Sequence, residues 1–381
     1  MSKIYLPTSE QMNTTLENLS RIAGALGTKE DTSTWAGIQR VVKSGNAPRL
    51  FPIGTQFVVP HSWGGDHVYD VVAHDYFKSA KDENAHTMTL MCHDIFGMVQ
   101  FDGAEAFYYA EAELPAGTYN VTLEETYASW VAGTYQFTLT KALPKGGQLC
   151  INGASNVPMT ERFVVSYSSH TATNASETVA ITLGNGGTHL GIFGVELNNI
   201  RRVPYGSNNY KESAIRQFLN SSAEAGSVWI PQTKFDRPPS WMTNLAGFVG
   251  GLNDEFLAVI GKVIVPCAAN DIYESPDSTV VKGEKYTLSD KFYLASQNEI
   301  FGMASGSAND GSVLFPYYNG ATNADRIKHR LMYGSGQPTA WRSRSPFTVS
   351  SISVLGVAAD GSEGQIIAND NLGCVPVCTI V

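Results

Sequence analysis

The period of hydrophobic and polar positions changes several times along the chain, and each change marks an expected element. Between Thr8 and Leu26 the apolar residues Met12, Leu16, Leu19, Ala23 and Leu26 step by four, three, four and three, a heptad seam. Thr8-Ser9-Glu10-Gln11 in front has the form of a capping box and Gly27 can close the run, so the spacing predicts a helix over 8–26. A helix of about two heptads is marginal alone in water, so its stripe must be buried, either on its own domain or in a short parallel bundle of copies. Thr34 to Lys43, with Trp35, Ile38, Val41 and Val42 on one side, predicts a second short helix, and Gly45 to Pro48 a hinge.

From Leu50 onward the spacing becomes that of strands. Phe51 to Val59, a Gly64-Gly65-Asp66 turn and His67 to His74 predict a hairpin, and Met88 to Cys92 a further strand. Five short strand patterns follow, at 118–123, 134–140, 148–151, 162–165 and 178–183, separated by Gly-containing turns. Their spacing predicts an antiparallel β-sandwich inserted over 103–194. Within it Gly117-Thr118-Tyr119 and Gly133-Thr134-Tyr135 each lead a Thr/Leu strand and read as paired neighbours. Tyr210 to Ser221 is helical by pattern, with Ile215, Phe218 and Leu219 on one face; Trp241 to Val249 and Asp254 to Ile260 are expected short helices. Strands are expected at 261–266 and 291–294, loops at 302–320 and 334–336, and an apolar core strand over Gly373 to Val381.

Trp341-Arg342-Ser343-Arg344-Ser345-Pro346, a Val/Gly hairpin and the closing Gly373-Cys374-Val375-Pro376-Val377-Cys378 resemble the C-terminal end of C-type-lectin-fold proteins of gut phages and prophages. That group includes the variable proteins of diversity-generating retroelements and belongs with the formylglycine-generating-enzyme-like superfamily. The resemblance extends to Tyr205 to Asn220, Lys234 to Ser240 and Phe51 to Phe57. It implies an α+β chain in three parts: an N-terminal helical attachment or oligomerisation segment over 1–47, a C-type lectin fold over 48–102 and 195–381, and the sandwich between.

Composition narrows the functions. Only 16% of residues are charged against 43% hydrophobic, with 36 glycines, as suits a turn-rich globular β protein. A net charge of -9 argues against nucleic acid as a partner. Neither a signal peptide nor an apolar run of membrane-spanning length is expected, so the chain reads as made in a bacterial cytoplasm and carried in a virion, without membrane insertion. Five scattered cysteines, Cys92, Cys150, Cys267, Cys374 and Cys378, fit buried reduced thiols better than a disulfide framework.

Candidate chemistry is sparse, and no enzyme is expected. Cys374 and Cys378 invite comparison with the formylglycine-type oxidases, but they sit among Val375, Val377 and Ile380 and read as core. Gln337-Pro338-Thr339 and Asn369-Asp370-Asn371 resemble the two sugar-site motifs of animal lectins, although Thr339 stands where an acidic calcium ligand is expected. No metal site or cofactor is called for, and structural calcium elsewhere stays open. The histidines lack metal-site spacing, and His67, Asp70, His74 and Asp75 should scatter over both faces of their hairpin. Tyr127, Trp130 and Tyr135 read either as a glycan-stacking platform on the insert or as its core.

The expected ligand-binding residues lie in and beside the C-terminal hairpin: Tyr333, Trp341, Arg342, Ser343, Phe347, Thr348, Ser350, Ser351, Ser353, Asn369, Asp370 and Asn371. The competing account puts Trp341 and Phe347 in the core. Arg344 reads as one half of a buried ion pair. With the resemblance, these residues imply a phage or prophage virion protein that binds a host-surface receptor, protein or glycan. It would act as a homo-oligomer, for instance a trimer, joined to other virion proteins through its N-terminal segment. The rival readings are a structural virion decoration or tail component, and a formylglycine-type or carbohydrate-acting enzyme.

Overall fold

The computed structural model describes residues 32–63, 65–103, 106–110, 113, 115–123, 133–139, 142, 148–150, 162–166, 180–184, 200–204, 208–230, 239, 242, 244–269, 285–302, 306–330, 336–348 and 353–381. The heptad helix expected over 8–26 lies outside them. Helix α1 (Trp35–Lys43) starts where Thr34 accepts a hydrogen bond from the Gly37 N–H, and it buries Ile38, Val41 and Val42.

The body is mixed α+β with most of its order in sheets. Strands β1 (Gln56–His61) and β2 (Gly65–His74) form the expected hairpin, followed by β3 (Met88–Cys92) and β4 (Gly97–Val99). Seven strands follow: β5 (Ala106–Ala110), β6 (Gly117–Leu123), β7 (Gly133–Leu139), β8 (Gln148–Cys150), β9 (Arg162–Ser166), β10 (Ala180–Gly184) and β11 (Ile200–Pro204). Helices α2 (Ala214–Leu219) and α3 (Asp254–Val259) precede β12 (Val263–Ala268), β13 (Lys285–Asp290) and β14 (Phe292–Leu294). Helix α4 (Gln297–Phe301) leads to β15 (Trp341–Pro346), β16 (Ser353–Val357), β17 (Glu363–Ile367), β18 (Leu372–Cys374) and β19 (Pro376–Ile380).

Two five-stranded sheets carry the core, in the orders β1-β2-β3-β19-β14 and β17-β16-β15-β18-β4. The chain's end therefore does not form one apolar strand, as its pattern suggests. It breaks at Val375 into β18 in the second sheet and β19 in the first, with Pro376 opening β19. A strand's first residue is where a missing N–H is tolerated. β19 lies between β3 and β14, aligning Val377 with Met91 and Cys378 with both Leu90 and Phe292. All five residues of β3 and of β19 are buried, which explains why both read as continuous apolar runs rather than alternating ones.

The insert departs from the expected antiparallel sandwich. Its described strands make one mixed seven-stranded sheet, ordered β11-β5-β8-β9-β10-β7-β6, in which β7 and β10 pair in parallel, as do β8 and β9. It also runs ten residues past the expected boundary, because Ile200–Pro204 pairs with Ala106–Ala110 and closes the insert on itself. Alternation within a strand reports that it is a strand, and says nothing of which neighbour it finds or in which direction. The twin Gly-Thr-Tyr segments do pair, Gly117–Leu123 running antiparallel to Gly133–Leu139.

Helix α2 is shorter than the pattern predicts because the Ser213 side chain accepts from the Arg216 N–H and so starts the helix there. At the end of the helix expected over Trp241 to Val249 the chain instead takes a 3-10 turn, Phe248–Gly251.

Candidate functional site

β15 and β16 are buried along their whole length. Four expected ligand-binding residues are therefore not on the surface: Trp341 and Arg342 are fully buried, as is Ser343, and Ser353 is 2% exposed. Trp341 donates its indole N–H to Arg326 O at 3.0 Å, and Ser343 donates to Leu355 O at 2.8 Å. Arg342 lies under the connection from β17 to β18, which passes over the β16–β15 pair, and its guanidinium donates to Ile367 O at 3.1 Å and to Asp370 O. Burial lowers the guanidinium to about 10, against the opposing pull of the Asp370 charge. One strand of mixed composition cannot reveal that a crossover covers it.

The remaining expected residues divide as follows. Asn369, Asp370 and Asn371 are exposed, while Phe347 and Thr348 are half-buried; Tyr333, Ser350 and Ser351 lie outside the described residues. Phe347 donates its N–H to Ser353 O at 3.0 Å, and Ser353 pairs with Ile367, itself 43% exposed. Phe347, Ser353 and Ile367 thus form one row across the end of the sheet. The Asn369 turn beside it is tied down by Gln100 on Asn369 O and by the Phe101 N–H on Ala368 O at 2.8 Å.

Beneath this end lies a buried ion cluster. Arg344, 1% exposed, grips Glu299 through two bonds, Nη1 to Oε2 at 2.7 Å and Nη2 to Oε1 at 2.6 Å. The same guanidinium donates to Pro266 O, Leu294 O and Asp310 Oδ2. Glu299 also completes the capping box of α4 with Ser296, so helix start and strand are locked by one carboxylate.

A second polar cluster brings together residues far apart in sequence. Asp70, on β2 and 1% exposed, receives His93 Nδ1 at 2.7 Å, Tyr317 Oη at 3.2 Å and Gln56 Nε2 at 2.9 Å. Burial pushes the Asp70 carboxyl up, but the bonds from His93 and Gln56 and the nearby His93 and Lys328 charges outweigh it and hold it below the usual carboxylate range. An ionised carboxylate only accepts, so Nδ1 of His93 carries a proton, and the 3.3 Å approach of the Gln56 amide to that nitrogen is donor against donor. The bond to Asp70 raises the His93 imidazole, whose side chain is 43% exposed. Lys328 is buried behind it, donating to Cys92 O at 2.8 Å and to His93 O. Sequence reading passed over this cluster; its one signal was a lone carboxylate within the apolar strand Val68-Tyr69-Asp70-Val71-Val72.

The other histidines do scatter. His67 reaches Trp63 O and His74 reaches Phe51 O, while Asp75 takes His86. Cys374 and Cys378 are buried free thiols in different sheets, and burial raises both, which removes them from thiolate chemistry at neutral pH. Thr339 turns its hydroxyl to Gln337 O at 3.2 Å, so the Gln337-Pro338-Thr339 turn supplies no carboxylate and does not fit a calcium-borne sugar site. Among the described residues no group of three His, Cys, Asp or Glu is placed to hold a metal, and no helix is long and apolar enough to cross a membrane. Tyr127 and Trp130 lie outside the described residues; Tyr135 is placed opposite Val121 in the β6–β7 pair.

The profile of a family described as a domain of unknown function, DUF6273, matches residues 177–381, more than half of the chain. The chain belongs to the DUF6273 family. The DUF6273 match takes in the Arg344 cluster, the Arg342 crossover, Tyr317 and Lys328, whereas Gln56, Asp70 and His93 precede it. Neither a curated protein nor a solved structure matches the chain.

Proposed function

We propose that the protein is a phage or prophage virion component of C-type lectin fold that binds a host-surface receptor through the end of the β17-β16-β15 sheet. The observation that carries the reading is the contrast at that end. An exposed apolar side chain, Ile367 at the end of β17, and the exposed polar turn Asn369 to Asn371 stand beside β15 and β16, which are wholly buried. A rigid frame under an adaptable polar and apolar rim is how binding surfaces are built. Arg342 supports the reading as the pin that holds the rim, not as a contact residue. The lectin-fold reading draws support from the last strand, β19, lying inside a sheet begun by the N-terminal hairpin, between β3 and β14.

The test is binding of purified protein to cells of the bacterial host, comparing wild type with a variant carrying Thr348→Ala, Ile367→Ser and Asn369→Ala. All three side chains are at least partly accessible, so the fold should survive, as checked by unchanged thermal unfolding. The proposal expects a loss of tenfold or more in apparent affinity, about the 1–2 kcal/mol of a binding hot spot. Equal binding by both proteins overturns it, and binding by neither favours a structural virion component.

A further inference from the structure

The cluster over Asp70 has a polarity of its own. The carboxylate is buried, with the Lys328 ammonium also buried behind it, while the imidazole of His93 reaches solvent. Asp70 takes the Nδ1 proton, which leaves Nε2 of the imidazolium as the outward donor; this ring nitrogen has no protein partner among the described residues. Gln56 turns its Nε2 inward to Asp70 and leaves its carbonyl oxygen to accept. Tyr317 gives its proton to Asp70, so its oxygen also faces incoming groups as an acceptor. Burial beside the Asp70 charge pushes that phenol up to about 12, so it stays neutral across the physiological range. Val58, 56% exposed, and the half-buried Val68 pair with each other two residues along β1 and β2 from Gln56 and Asp70, hence on the same sheet face.

The patch thus offers one charged donor, two neutral acceptors and an apolar shelf. A saccharide hydroxyl donates, its C–H face is apolar, and a carboxylate accepts from a cation. We propose that Gln56, His93 and Tyr317, arranged over Asp70, bind a carboxylate-bearing saccharide. His93 Nε2–H takes the carboxylate, the Gln56 and Tyr317 oxygens take hydroxyls, and Val58 and Val68 take the C–H face. The site is separate from the C-terminal rim and does not rest on the function proposed for it.

Isotope-edited NMR on the full chain tests the site, following the His93 ring during titration with glucuronic acid and with N-acetylneuraminic acid, and with glucose and acetate as comparators. The acidic sugars should give saturable shifts at pH 6. The groups facing the ring are Asp70, Gln56, Tyr317, Asp94 and Lys328, and of these pairs the Asp70 bond dominates and raises the imidazole. Protonation is complete below the raised value and lost as pH rises through it, so binding should weaken about tenfold by pH 8.5, the effect of removing one charge-assisted hydrogen bond. His93→Gln should weaken it at least tenfold. Tyr317→Phe, which keeps the ring and the fold, should weaken it less and preserve the pH dependence. Glucose binding as well as the acids, acetate binding as tightly as they do, wild-type affinity in His93→Gln, or no shift at all each overturns the proposal.

Discussion

Replacing Arg344 by Met keeps the length and apolar stem of the side chain and removes its guanidinium. That group makes two bonds to Glu299, one to Asp310 and one each to Pro266 O and Leu294 O, all at 1% exposure or less for the pair itself. The substitution leaves the fully buried Glu299 carboxylate with the Ser296 N–H at 2.8 Å as its remaining hydrogen-bond donor among the described residues, and takes a donor from two backbone carbonyls. Removing one partner of a buried pair costs about 3–5 kcal/mol, far above the worth of an exposed pair, because the other charge stays buried. Burial raises the Glu299 carboxyl and Arg344 works against that rise; without Arg344, burial and the Asp310 charge are opposed by the Ser296 N–H bond alone, and the folded variant takes up a proton. A carboxyl whose folded pKa exceeds its unfolded one stabilises the fold below the unfolded value and loses that contribution as pH rises through the folded value. Urea unfolding of both proteins should therefore give a deficit of about 3–5 kcal/mol at pH 8 and a smaller one at pH 5. A deficit below about 1 kcal/mol, or one that grows toward pH 5, refutes the reasoning.

Two further outcomes follow from the packing. His61 accepts the Trp63 N–H at Nδ1, contacts Phe248 O through Nε2 at 2.9 Å, and is lowered to about 4 mainly by burial. Its neutral form therefore stabilises the fold above pH 6.5, and this is lost as pH falls toward 4; His61→Phe should flatten that slope, worth about 2 kcal/mol, in urea titrations at pH 5 and 7. Gly361 has φ +80, and a Cβ there would lie 1.8 Å from Asn323 O. Gly361→Ala should cost at least about 2 kcal/mol from left-handed strain and backbone clash, visible as a lowered midpoint in calorimetry.

Local pattern was enough for what local physics controls. Thr34 as a helix start, the β1–β2 hairpin, the pairing of the two Gly-Thr-Tyr strands, the buried cysteines and the ion-paired Arg344 were all legible, since each follows from capping, turn chemistry, periodicity or the cost of burying a charge. The tertiary structure alone decided the break at Val375, which hands the chain's end from one sheet to the other, and the parallel pairs of the inserted sheet. It alone put Arg342 under a crossover, although as sequence Arg342 and Ser343 look like polar residues fit for display. It also gathered Gln56, His93 and Tyr317 around the Asp70 carboxylate, Tyr317 from 247 positions away. Strand periodicity says which residues share a face, whereas cover and partners come from elements whose approach is set by long-range pairing, and no residue spacing along the chain encodes that.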